Sequence, residues 1–527
     1  MQHKQLSRVF QGTMILAISS LVAKILSAVY RIPFQNLVGN DGFYVYQQVY
    51  PLYGLGIVLA LSGLPVFISK VIAEQETKQQ QLAVAQQLFG LLLVAALIVT
   101  GVLWWLAFPI ARLMGDGNLA PVIRSVSLMF LGMPFLAVGR GYHQGQYVTW
   151  PTSVTQLVEQ VVRVSIVVCV AVLASQHHWQ IYRTGTLAMA SAPVAALCSS
   201  LIIMMTSRQL FRRPTVKVAF DGRLVKRLVV EGGAISLFAA MMILLQLVDS
   251  FTVKSALVSA GVPNGLAMSL KGVFDRGQPL IQLGLVVATS VSALLVPSLT
   301  ESYQKMKMVE FRRQFQVLSH VCIAVSALCT TGLIAIMPSI NELLFASRLG
   351  SFALAVNMLS IILAAVITMY SSVMQSLNRF SQIVTGLLIG LGVKVVTNYW
   401  LVMHFKIVGA SLGTVLALLV TLLVVWQGLP DLLHWHTKHW FAVKLTAICV
   451  MMGVIAGGTA QLVSWLIPMS RLGALLAVTV AVIVGVVIAG GLSVWWHLLS
   501  VKELLLLPHG KQFLIKLNDR MKSNETR

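Results

Sequence analysis

Lys24 and Arg31 stand seven residues apart in an apolar stretch, with no acid at helical spacing from either. Seven residues turn an α-helix through about 700°, so both cations lie within about 20° of one face. A charged side chain at the centre of a membrane-crossing helix costs about 2.5–3.5 kcal/mol on insertion scales. Such groups therefore face a partner or a polar cavity. Two cations on one stripe fit a wall that faces an anion. The alternatives are snorkelling of Arg31 to the outer interface and a pair between Lys24 and another helix. Lys394 likewise has no acid three or four residues away, and Asn398 lies one turn further on. Asp275 and Arg276 open another apolar run, with Pro279 just after them. A guanidinium is a planar fork that grips phosphate through two hydrogen bonds. A cavity holding Arg276, Arg31, Lys24 and Lys394 with few acids is cationic, and phosphate is the first anion it suggests.

Other charges have different readings. Asp249 sits deep in an apolar run, and Lys254 points about 140° away from it on a helix. An intramembrane carboxylate is a candidate carrier of a proton or a monovalent cation, or a partner for a base on another helix. Glu159 and Arg163, four apart, read as a self-contained pair. Arg140 and Arg124, near span ends, read as anchors. Glu231 opens its helix, where the dipole favours an acid. The stretch from His434 to His439 lies in a loop and reads as an interfacial Trp/His belt rather than a metal site. The five cysteines lie in apolar runs, with no CxxC and no Cys/His ligand spacing; they read as small buried hydrophobes. The chain shows no P-loop, GxSxG or HExxH pattern and no paired loop carboxylates. No cofactor or metal is expected, and energy would come from ion or voltage coupling or from a separate subunit.

These residues need helices in a bilayer to position them. Of 527 residues 57% are hydrophobic and only 10% charged, and the mean hydropathy is +0.85. Soluble domains carry about 25% charged residues, so that class is excluded, as is a disordered chain. Fourteen spans of about 20 or more residues are predicted at 10–36, 48–72, 84–108, 122–146, 152–175, 186–206, 229–259, 278–299, 316–338, 351–376, 381–402, 407–427, 444–466 and 473–497. With the N-terminus inside, 24 Lys and Arg fall in inside segments or, as Lys70 and Lys444 do, at the inner ends of spans, and seven, among them Lys271 and Arg276, in outside segments. That asymmetry places both termini in the cytoplasm. It also accounts for the net charge of +22 without nucleic acid.

The expected fold is all-α and polytopic, with about 14 transmembrane helices in two six-helix lobes plus two extra helices. The N-terminal lobe is 1–206, a basic cytoplasmic linker 207–228, the C-terminal lobe 229–428, the extra pair 429–498 and a basic, interfacial tail 499–527. A faint repeat supports the two lobes. Gln144 precedes Arg163 by 19 residues and Gln375 precedes Lys394 by 19, while Pro65 matches Pro297. Parallel repeats of this kind suit a transporter whose lobes rock about a central site.

Four segments carry a resemblance: Lys24–Gly39 (KILSAVYRIPFQNLVG), Leu61–Glu74 (LSGLPVFISKVIAE), Arg140–Val164 (RGYHQGQYVTWPTSVTQLVEQVVRV) and Phe274–Ser302 (FDRGQPLIQLGLVVATSVSALLVPSLTES). They resemble the MurJ/SpoVB/YtgP group of polysaccharide and lipid II flippases, within the multidrug/oligosaccharidyl-lipid/polysaccharide exporter superfamily. The resemblance implies a central cationic cavity for a diphosphate-sugar headgroup and a terminal helix pair forming a groove for a polyprenyl tail. It implies that Arg276 is the essential arginine beside an Asp, that Lys24 and Arg31 stand near the first-helix basic residues, and that Asp249 is the acid tied to cation coupling. Departures exist: Lys24 replaces an arginine of Gram-negative relatives, a second-helix arginine has no counterpart near Gln47 and Gln48, and Lys394 is placed to oppose a bound cation. They point to the Gram-positive branch.

The expectation is a flippase, not an enzyme, in the bacterial cytoplasmic membrane. It would move an undecaprenyl-diphosphate-linked saccharide, lipid II first, to the outer leaflet for peptidoglycan synthesis. Arg276, Arg31, Lys24 and Lys394 would bind the headgroup and Asp249 would couple, with Asp275, Glu159, Arg163 and Asn398 in support. The expected partners are that lipid, the bilayer and the cell-wall synthesis machinery. Competing readings are an exporter of another polysaccharide repeat unit, a multidrug exporter, a polytopic transferase using His143, Asp41 or Asp116, and a scaffold without transport.

Overall fold

The computed structural model describes residues 16, 18–211, 222–377, 379–429, 439–467 and 470–498. The expected tail 499–527, the middle of the basic linker and His434–Lys438 lie outside the described residues. Among the described residues the regular structure is helical, with no strand. Long apolar sequence dictates this, because backbone groups in a bilayer must be satisfied within their own segment.

Eleven helical segments among the described residues are long and apolar enough to cross a membrane, so the protein is a multi-pass membrane protein. Two of them are hairpins. The first, Ile18–Ala73, breaks at Gly39 (φ 71°). Across that break Tyr30 meets Tyr46 and Phe34 meets Phe43, each with ring centroids 6.4 Å apart. The second, Ser381–Gln427, breaks at Lys406 (φ 52°). There a β-carbon on Gly409 would collide with the carbonyl of Leu401, and one on Gly413 with Asn398 Oδ1, so only glycine lets the two arms close. Split at these breaks, and with the 28-residue helix Gly277–Gln304, the segments are compatible with fourteen crossings. Local signals set helix ends. Thr77 and Gln80 form a reciprocal capping box on Lys78–Trp105, and Ser470 caps Arg471–Trp495, each satisfying amides that a helix start leaves open.

The chain divides into two compact units, Met1–Leu283 with Ile383–Val420, and Gly284–Gln382 with Thr421–Arg527. In the first, the working elements below are the two hairpins, α1 (Trp150–Gln176), α2 (Met241–Ser259) and α3 (Asn264–Asp275). Both α2 and α3 pack on the first hairpin. In the second, helix Met308–Ala335 packs on Ser351–Ser376 and His439–Leu466, and the latter on Arg471–Trp495. Its core is Ala324, Ala327, Phe441, Leu445, Ile448 and Met452. An apolar groove of about 470 Å³ opens there, lined by Ile323, Ala327, Leu359, Phe441, Leu445 and Cys449.

Candidate functional site

Every buried Asp, Glu, Lys and Arg among the described residues belongs to the first unit. Burying an ion costs several kcal/mol unless it is paired. Four acids there are paired. Arg140 binds Glu159 at 2.7 Å, Lys254 binds Asp116 at 3.2 Å, Lys271 binds Asp275 at 2.6 Å and Lys394 binds Asp249 at 2.8 Å. Three further buried cations are Arg31, Arg163 and Arg276.

Arg31 and Arg163 form a chamber with tyrosines. Tyr46, Tyr50 and Tyr53 follow one another at spacings of four and three, which puts them on one helix face, and Tyr30 arrives from the other arm of the first hairpin. The Arg31 guanidinium lies over Tyr50, 4.1 Å from its centroid. That of Arg163, from α1, lies 4.3 Å from Tyr53 and 4.8 Å from Tyr30. The Tyr50 and Tyr53 rings are 5.2 Å apart, and the Tyr30 and Tyr46 hydroxyls bond at 2.7 Å. Arg31 Nη2 donates to Gln282 Oε1 at 3.3 Å. Arg163 Nη2 donates to Ser27 Oγ at 3.3 Å and Gln160 Oε1 at 3.4 Å. On both residues Nε and Nη1 are buried without a hydrogen-bond partner. Among the described residues neither has a carboxylate within 4.0 Å. A cation over an aromatic face gains about 0.5–2 kcal/mol, less than an uncompensated buried charge costs.

The expected pair Glu159–Arg163 is not formed. Arg140 takes the Glu159 carboxylate through Nη2 and also donates from Nε to Thr155 Oγ1 at 3.1 Å and from Nη1 to the Ala60 carbonyl at 3.1 Å. Each of its three nitrogens has a partner, and it is a buried strut rather than an interfacial anchor.

Arg276 ends α3 and donates to Asn40 Oδ1 at 2.5 Å. Asn40 is held by Gln35 at 2.9 Å and gives its own amide to Ser269 Oγ at 3.2 Å. Gly272 makes this possible, since a β-carbon there would strike the Asn40 carbonyl. Asp275 is neutralised by Lys271, not by Arg276. Lys271, on α3, and Arg276, at its end, are thus both buried in the first unit. Arg31, through Gln282, and Arg276, through Asn40, tie the first hairpin to the same stretch of chain.

Lys24 is exposed and does not join Arg31 in the chamber. Lys394 is buried and bound to Asp249, so its charge is already spent and it adds no free cation to the chamber. Asn398 donates to Asp249 Oδ1 at 3.0 Å and Thr252 Oγ1 at 2.6 Å. Gln48 bonds the Met114 and Ser250 carbonyls. Lys254 reaches the Gly115 carbonyl at 2.9 Å, and Asp116 accepts from Tyr182 at 2.9 Å and Tyr44 at 3.2 Å. Asp116 is therefore a latch between the first and second halves of the sequence rather than a free acid. Elsewhere in the unit, Arg227 grips Glu74 at 2.8 Å and Glu231 at 2.9 Å, and Lys70 reaches Glu231 at 3.0 Å. These partners, beyond the helix dipole, account for Glu231; the bond from Arg227 holds its carboxyl below the usual range. Among the described residues no cluster of three His, Cys, Asp or Glu could hold a metal ion.

Residues 9–303, more than half of the chain, match the model of the family described as Polysaccharide biosynthesis protein. The chain belongs to that family. One relative is the uncharacterised membrane protein YabM of Bacillus subtilis (strain 168), 34% identical over 77% of each chain. The lipid II flippase MurJ of the same organism is 24% identical over 88% of this chain and 89% of its own. A solved structure titled lipid II flippase MurJ, inward closed conformation, superposes with a TM-score of 0.69 at 11% identity, covering 92% of this chain and 99% of that one. The likeness to that structure establishes the fold.

Proposed function

We propose that this chain is a flippase that carries an undecaprenyl-diphosphate-linked saccharide, lipid II, from the inner to the outer leaflet of the bacterial cytoplasmic membrane by alternating access, for peptidoglycan synthesis. The observation that carries the reading is the pair of buried guanidiniums, Arg31 and Arg163, that face tyrosines and lack an acid. A diphosphate supplies the missing counter-charge and offers acceptor oxygens to the open Nε and Nη1 donors. Arg276, on the stretch that Arg31 also holds, is placed to join it. The chamber is closed in this conformation, so helices of the first and second halves of the sequence must part to admit a headgroup. The Asp116–Lys254 latch is one contact that such a motion breaks. In the second unit the apolar groove suits a polyprenyl tail.

With both termini in the cytoplasm, net negative charge moves outward. A negative-inside potential favours that step by about 2.3 kcal/mol per charge per 100 mV. No cofactor is needed for this chemistry, and the cell-wall synthesis machinery would consume the product. The family resemblances to MurJ support the substrate; the geometry supports an anionic headgroup.

The test is complementation of a strain depleted of its lipid II flippase, with labelled lipid II measured at the outer face. The wild-type chain restores growth and outer-face label, and Arg31→Ala and Arg163→Ala chains of equal abundance do not. Full rescue by both variants, or no outer-face label with the wild type, overturns the proposal.

A further inference from the structure

The first unit holds a second cavity, of about 340 Å³, that shares no lining residue with the arginine chamber. It lies where α1 ends and the next helix, Ile181–Thr206, begins, against the bend of the first hairpin. Small-molecule sites occupy about 300–1,000 Å³. A helix that ends in a left-handed residue favours glycine there. Here that residue is His178, at φ 49°, and the Trp179 amide closes back on the Ala174 carbonyl at 3.1 Å. A side chain in that conformation costs about 1–3 kcal/mol, and this one lines the cavity. Ser175, Trp179 and Thr184 line it from the same two helix ends, and Leu37 and Gly42 from the first hairpin. The Trp179 ring is braced by the Arg183 guanidinium, 4.6 Å from its centroid, and by the His177 ring, 6.4 Å away and inclined by 20°. Thr184 gives its proton to the Gln180 carbonyl at 3.1 Å and keeps its lone pairs. Among the described residues no protein hydrogen bond occupies the side chains of Ser175, His178 or Trp179. The described lining contains no Asp, Glu, Lys or Arg. A buried organic cation wants a carboxylate, and a phosphate wants arginine or lysine. A hydroxyl, an imidazole, an indole N–H and some apolar surface instead suit a neutral, hydroxyl-rich ring.

We propose that this cavity is a saccharide-binding site, separate from the arginine chamber, that takes one neutral sugar ring. Trp179 and Leu37 supply apolar surface for its C–H groups, while Ser175, His178 and Thr184 exchange hydrogen bonds with its hydroxyls. The ligand class follows from the lining itself, whereas its use rests on the proposed function. With both termini in the cytoplasm, α1 ends at the outer face, and the sugar held there belongs to a headgroup that has left the arginines.

The experiment uses the full chain purified in detergent. Chitobiose, a neutral disaccharide, is the probe in saturation-transfer NMR, and inorganic pyrophosphate is the probe in thermal melts. Wild type is expected to bind chitobiose saturably and to melt higher with pyrophosphate. Trp179→Leu is expected to weaken chitobiose binding about tenfold, the worth of one aromatic contact. Ser175→Trp fills the cavity from an exposed position and is expected to abolish chitobiose binding while the pyrophosphate response stays. Arg31→Ala/Arg163→Ala is expected to do the reverse. No saturable binding by wild type overturns the proposal. Binding that survives either cavity variant, or that disappears with the two arginines, overturns it as well, so one folded cavity variant suffices. A failed flippase assay beside intact, cavity-dependent chitobiose binding sinks the flippase reading and leaves this site standing.

Discussion

Arg163 and Lys394 follow Gln144 and Gln375 by the same 19 residues, yet their surroundings are opposite. Lys394 is met by a carboxylate at 2.8 Å, a threonine at 2.7 Å and a neutral balance. Arg163 is met by two tyrosine faces, a serine and a glutamine, and keeps two buried N–H groups without partners. A compensated buried charge holds a structure together, whereas an uncompensated one waits for a ligand. Burial alone does not tell the two apart, since both side chains are 0–1% exposed; the inventory of partners does. The same contrast separates the two units. The first holds all the buried ions among the described residues, and the second offers an apolar groove with none.

Five substitutions break or sharpen this comparison. Lys394→Met strands Asp249 and is expected to cost about 3–5 kcal/mol of stability, read as a lower melting temperature in choline salts. Adding Asp249→Asn should return most of it. Arg163→Met goes the other way, raising stability of the unliganded protein by about 1–2 kcal/mol as an uncompensated charge leaves. It should nevertheless cut flipping about a hundredfold, the equivalent of about 3 kcal/mol of lost headgroup binding. Unchanged flipping with a raised melting temperature would reduce the chamber to a structural oddity. Gly413→Ala presses a methyl group onto Asn398 and is expected to cost about 1–3 kcal/mol, read as a lower melting temperature.

The smallest effect belongs to the exposed ionic cluster. Glu231→Gln is expected to cost less than about 1 kcal/mol, because its partners Lys70 and Arg227 are 38% and 35% exposed and screened by solvent. The sign follows from its carboxyl being held low by Arg227. The contribution is complete above the unfolded value of about 4.3 and disappears as pH falls through the lower folded value. Melts of wild type and variant therefore differ by a constant amount from about pH 6 to 8 and converge in acid.

Much of this architecture is legible in one sequence, because a bilayer asks for little more than length and hydrophobicity from each crossing. The chemistry was only partly so. Arg31 and Arg276 announce themselves as charges in apolar runs. Arg163 was hidden behind Glu159, whose four-residue spacing is that of a surface helix pair worth about 0.2–0.5 kcal/mol. Inside the protein Arg140 wins that acid by bringing a complete set of bonds with it. Lys271 falls between the predicted spans 229–259 and 278–299, yet it lies within the helix α3. The tyrosines at 46, 50 and 53 carried a readable helical spacing, but neutral side chains draw no attention in a search for charge. The Asp249–Lys394 pair spans 145 residues, and one sequence holds no trace of such a contact.

That long separation has a consequence for biogenesis. Arg140 and Glu159 are made 19 residues apart, and Lys271 and Asp275 four, so these pairs can enter lipid together. Asp249 enters long before its partner is synthesised. Until the second hairpin arrives that carboxyl is without its base, and in lipid the neutral, protonated form is the cheaper one. The ion pair is therefore among the last contacts of the first unit that synthesis makes possible.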